Sequence, residues 1–178
     1  MKKILLPLLL LVVVVSLTAA TAPRVARATL VSVEKSLDDR IRSLWDDNPY
    51  LLLGNTRGVY LENYGAVFTA EVDLVVNPTS LMNANIKKDE IVRFHQKKLD
   101  RIPKLKSAMR DALASCATLL DVPPDEQITI VTFVPHHGWE DMTGIPTQLT
   151  FQATRKALLD AQRGGPAALE AAVRVNEN

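Results

Sequence analysis

The sequence predicts an α+β domain: a mostly antiparallel sheet of about five strands with helices packed on one face, preceded by a signal peptide. Three observations carry this. From Ala66 to Leu74 apolar and polar residues alternate with period two, as in a strand with one buried face. From Asp89 to Leu120 a helical stripe runs through Ile91, His95, Leu99, Ile102, Leu105, Met109, Leu113, Cys116 and Leu120. The order of elements (helix, three strands, long helix, two strands, helix) lacks the steady alternation of a parallel sheet.

Taken in order, Lys2 and Lys3 precede the apolar run Ile4 to Leu17, followed by Thr18, Ala19, Ala20, Thr21 and Ala22. A basic start, a short apolar run and an A-x-A-like end define a secretory signal peptide over residues 1–22. Uncleaved, this segment would be an anchor and the only expected contact with a membrane. Residues 23–31, with Arg24 and Arg27, read as a tether, and residues 32–178 as one α+β domain. A helix is expected from Ser32 or Ser36 to Asp47, burying Val33, Leu37, Ile41 and Leu44. Ser36 stands three residues before Asp39, a capping arrangement, and Asn48-Pro49 stops the segment.

Strands follow at Tyr50–Leu53, Val59–Leu61 and Ala66–Leu74, the last two joined by a turn at Asn63-Tyr64-Gly65 and the third closed by Asn77-Pro78. In the third strand Ala66, Phe68, Ala70, Val72 and Leu74 share the inward face. Pro103 predicts that the long helix is kinked or split in two, and Lys97, Lys98, Arg101, Lys104 and Lys106 read as its solvated face. Ile128 to Val134 is apolar or β-branched on both faces, as in a central, doubly covered strand. Thr147–Gln152 reads as a strand and Ala153–Arg163 as a helix stopped by Gly164-Gly165. Pro166–Ala172 is helical, and Val173–Val175 completes the sheet as an edge strand.

Composition narrows the function. The 178 residues are 47% hydrophobic and 23% charged, enough apolar content for a packed core and too much for wholesale disorder. One cysteine cannot close a disulfide within the chain, and Cys116 sits on the helical stripe as a small core residue. The net charge is +1, and loss of residues 1–22 removes two of the 21 basic residues against 20 acidic ones. Neither balance gives the basic stripe of a nucleic-acid binder, so no nucleic-acid partner is expected.

No G-x-S-x-G, G-x-G-x-x-G or P-loop occurs. The densest set of metal-capable side chains is His136, His137, Glu140 and Asp141, around Trp139. Their spacing is not that of the zinc-peptidase helix, and neighbouring strand histidines point to opposite faces unless Gly138 turns the chain. His95 would be a third ligand in a metal site; otherwise it is a hydrogen-bonded histidine on its helix. The competing reading makes the segment a polar loop with Trp139 packed over the sheet edge, and that reading is preferred. Glu71 and Asp73 share the wetter strand face as solvated carboxylates, and no cofactor is expected.

The segment Gly58-Val59-Tyr60-Leu61-Glu62-Asn63-Tyr64-Gly65-Ala66-Val67-Phe68 resembles one found in secreted bacterial proteins of unassigned function. There a strand ending in a tyrosine-glycine turn leads straight into a second apolar strand. The resemblance implies a periplasmic or secreted domain and brings no catalytic residue, substrate or cofactor. The expected function is a non-enzymatic, envelope-associated accessory domain binding an unknown envelope protein or ligand. Its expected surface combines Tyr64 with His136, His137, Trp139, Glu140 and Asp141. The alternative is a metal-dependent hydrolase in which His136 and His137 hold the ion and Glu140 is the general base.

Overall fold

A computed structural model describes residues 25–46, 50–76 and 86–178. The expected signal peptide and the Asn48-Pro49 and Asn77-Pro78 stops lie outside the described residues. The elements are α1 (Arg27–Arg42), β1 (Leu51–Leu52), β2 (Arg57–Leu61), β3 (Gly65–Asp73), α2 (Lys88–Leu119) and β4 (Gln127–Phe133). Then come β5 (Gln148–Thr154), α3 (Arg155–Gly164), α4 (Pro166–Ala172) and β6 (Arg174–Glu177). The class is α+β, as the sequence indicates.

The sheet has six strands in the order β1-β3-β4-β5-β6, with β2 pairing the same edge of β3 as β1. It is mixed, which corrects the expected antiparallel sheet of about five strands. β3 and β4 run parallel, Gly65 opposite Gln127 and Glu71 opposite Phe133, while the other pairings are antiparallel. The cause is α2, whose 32 residues carry the chain back along β3 before β4 begins. A parallel pair needs a crossover of that kind, whereas a hairpin would reverse direction.

Helices cover one face. Ala66, Phe68, Ala70 and Val72 of β3, Ile128 and Ile130 of β4, and Leu149 and Phe151 of β5 point into the core. Against them pack Val33, Leu37 and Ile41 of α1 and Leu105, Met109, Leu113 and Cys116 of α2. Burial pushes the Cys116 thiol up to about 12. The opposite face of β4 carries Thr129, Val131 and Phe133, and Phe133 is 41% exposed. β4 is therefore central in order but covered on one side, a second correction.

Local details shift the expected boundaries. α1 starts at Arg27, because Leu30 extends its buried stripe one turn towards the N-terminus. Residues 27–31 are thus helix rather than tether, and Ser36 lies inside the helix rather than at its cap. α2 runs unbroken through Pro103, which sits on an exposed face. The Glu90 carboxylate accepts from the Lys87 N–H at 3.1 Å at the start of α2, and Thr154 Oγ1 accepts from the Ala157 N–H at 3.2 Å at the start of α3. Lys98 and Arg101 are buried, so they leave the solvated face assigned to them. The β2–β3 turn is as expected: Asn63 has φ 64° and Gly65 φ 128°. A Cβ on Gly65 would lie 1.8 Å from the Gln127 carbonyl oxygen, so the parallel pairing itself demands glycine there.

Candidate functional site

Beyond Phe133 the chain passes into the loop 135–146, which folds back over the N-terminal half of α2. Its anchor is Lys98, whose ammonium donates to the Pro135 carbonyl at 3.1 Å and forms an ion pair with Glu140. The two side chains are 1% and 6% exposed. The second Glu140 oxygen accepts from the His137 N–H at 3.0 Å, and the Glu140 N–H returns to the His137 carbonyl at 3.0 Å. Asp73, at the end of β3, lies within the electrostatic reach of Lys98. Burial nevertheless raises its pKa, with Lys98 opposing the shift.

Around this anchor the remaining loop residues find local partners. His95 Nδ1 donates to the Asp141 carbonyl at 2.8 Å. The Asp141 carboxylate accepts from the Thr143 N–H at 2.9 Å, which holds it below the usual range. Trp139 meets Phe94 of α2 edge-on, ring centres 5.7 Å apart, and stacks with His137 at 5.7 Å. Trp139 thus packs on the helix rather than over the sheet edge, another correction. His136 is exposed.

One Glu140 oxygen is held by Lys98 and the other by the His137 N–H, and His95 Nδ1 donates to the loop backbone. Among the described residues no group of three or more histidine, cysteine, aspartate or glutamate side chains stands close enough to hold a metal ion. The loop is a cover fastened by a buried ion pair. Sequence reasoning missed Lys98, although the three-four spacing Ile91, His95, Lys98, Ile102, Leu105, Met109 carries the stripe through it.

Tyr64 does not join the loop. Because β3 and β4 are parallel, Tyr64 lies beside Gln127 at the start of β4, where the Gln127 N–H donates to its carbonyl at 2.7 Å. The loop leaves from the other end, about 20 Å away at the usual rise per strand residue. The joint surface of Tyr64 with His136, His137, Trp139, Glu140 and Asp141 is therefore corrected. The Tyr64 ring instead folds onto the helix-free sheet face, its hydroxyl 3.4 Å from Thr129 Oγ1 and accepting from Gln152 Nε2 at 3.2 Å.

That open face is the most extensive candidate surface. Strand register places Val59 and Leu61 of β2, Val67 and Thr69 of β3, Val131 and Phe133 of β4, and Thr150 and Gln152 of β5 on it. Leu51, opposite Asp73, and Leu53, whose N–H donates to the Glu71 carbonyl, extend it at the edge. Among the described residues, six of the nine exposed large hydrophobic side chains lie here: Leu51, Leu53, Val59, Leu61, Tyr64 and Phe133. Standard strand spacing and rise make the whole face, polar side chains included, roughly 500 Å². Arg57 and Arg174 balance Glu71 and Asp73 across it. The signal was in the sequence: β4 is apolar on both faces because one meets the core and the other forms this surface.

Among the described residues, fold and surface define a two-layer α+β arrangement with one uncovered sheet face. No family model, curated protein or solved structure matches the chain. No helix among the described residues is long and apolar enough to cross a membrane.

Proposed function

We propose that the protein is an exported, non-enzymatic accessory domain that binds a protein partner of the cell envelope through the open face of its sheet. The observation that carries this is the concentration of exposed apolar side chains on that face. Water-exposed apolar side chains clustered on one face gain free energy when a partner covers them. Charge balance across the face favours a partner recognised by shape and apolar contact rather than an anionic polymer. Its size fits a weak or transient complex, since stable interfaces bury about 800 Å² per partner. Export rests on Lys2, Lys3 and the apolar run Ile4 to Leu17.

The test compares wild-type protein with the double variant Val59→Lys/Phe133→Lys, each recovered with its associated proteins from the envelope of producing cells. A protein retained by wild type and lost from the folded double variant supports the reading. Identical retention by both overturns it.

A further inference from the structure

We propose that the free edge of β6 is a self-association site, where a second copy of this chain adds its own β6 antiparallel and joins the two sheets. The two ends of the sheet are built differently. Along β2, side chains of α1 occupy backbone groups that point away from β3. The Asp38 carboxylate accepts from the Thr56 N–H at 2.9 Å, and Glu34 accepts from the Gly58 N–H at 2.8 Å. Arg27 donates to the Gly58 carbonyl at 2.8 Å. An edge sealed in this way offers little to a further strand.

β6 ends the sheet on the other side, where it pairs with β5 alone. Asn178 and Gln148 exchange both backbone hydrogen bonds, at 3.0 and 3.1 Å, which fixes the alternation along β6. Arg174 and Asn176 therefore bond towards β5, and the N–H and C=O groups of Val175 and Glu177 point outward. Among the described residues nothing pairs with these four groups. The strand contains no proline, and its two charged side chains do not guard the edge. Arg174 folds inward to Gln152 Oε1 at 3.2 Å, and Glu177 forms an ion pair with Lys106 of α2.

Unpaired strand groups are matched by another extended backbone, and this edge matches itself. About a two-fold axis perpendicular to the sheet, opposed residues lie on the same face, so the pairing centres on one residue. Centred on Asn176, it sets Val175 against Glu177 of the second copy, and Glu177 against Val175 of the second copy. All four outward groups of each edge are then used. Asn176 meets its own counterpart, amide to amide, and Arg174 lies opposite Asn178, so no like charges are directly opposed. Centred on Val175, the pairing would set Glu177 against Val173, whose N–H already donates to the Leu169 carbonyl at 3.1 Å. The register on Asn176 is therefore the one assigned, and it places the two open sheet faces side by side.

Two measurements on the full chain test this. Sedimentation over a dilution series should show the wild-type mass rising from one chain to two. Val175→Pro removes an outward N–H and spares the β5 pairing, so its mass should stay at one chain. Facing positions in a non-hydrogen-bonded pair stand about 4.5 Å apart, close enough for a disulfide. Oxidised with copper phenanthroline, Asn176→Cys should therefore crosslink two chains, whereas Arg174→Cys and the wild type, with Cys116 buried, should not. A crosslink specific to Asn176→Cys supports the site even where the wild type sediments as one chain, because oxidation captures a weak pair. A dimer that persists in Val175→Pro, equal crosslinking from Arg174→Cys, or no crosslink from Asn176→Cys would overturn the proposal.

Discussion

Replacing Lys98 by methionine removes the ammonium that fastens the loop 135–146 and leaves Glu140 buried without its counter-ion. Were Lys98 on a solvated helix face, the change would cost about 0–1 kcal/mol, as exposed ion pairs do. With side chains 1% and 6% exposed, the buried case applies, and losing one partner costs about 3–5 kcal/mol. For a chain of this size that is a fall in Tm of roughly 6–20 °C. The double variant Lys98→Met/Glu140→Leu removes the stranded charge together with its partner and should recover most of the loss. Urea and thermal unfolding of the four species give the coupling directly. A single-variant loss below about 1 kcal/mol, or a double variant no better than the single, would refute the buried anchor.

Three further outcomes follow from the structure. Gly65→Ala should cost roughly 1–3 kcal/mol or more in denaturant unfolding, because its Cβ would collide with the Gln127 carbonyl at a positive φ. Cys116 should label slowly in the native protein and rapidly in denaturant. Its thiol is raised by burial from 9.0 to about 12, so the stability it contributes is intact below pH 9 and lost progressively as pH rises towards 12. Asp73 has a carboxyl raised by burial, so ionisation is disfavoured in the fold and its favourable contribution is lost as pH rises through the folded pKa. Asp73→Asn should therefore stabilise the protein near neutral pH and make no difference at about pH 3, as read from urea midpoints.

Periodicity made the elements legible. Ala66, Phe68, Ala70, Val72 and Leu74 all face the core, Cys116 is buried, and the glycine at the Asn63-Tyr64-Gly65 turn has the backbone the turn requires. What stayed hidden depended on contacts between distant segments. Nothing local to Gly65 or Gln127 says that β3 and β4 run parallel, and that pairing alone separates Tyr64 from the loop 135–146. Lys98 was misplaced because residue type outweighed position: its spacing belongs to the core stripe, but burial needs Glu140, 42 residues away. The open sheet face was misread for a related reason, since an apolar outer row on β4 resembles a covered strand, whereas no second layer lies over it among the described residues.

The most direct test of that face is site-specific photo-crosslinking in cells that produce the protein. A photoreactive residue is placed in turn at Val59, Leu61 and Phe133 on the open sheet face, and at Val92 and Leu119 on α2. All five positions are exposed and apolar, so they differ in location rather than in chemistry. The account predicts one shared crosslinked partner from the three sheet positions and none from the two helix positions. The same partner captured from Val92 or Leu119, with Val59 and Phe133 silent, would contradict it.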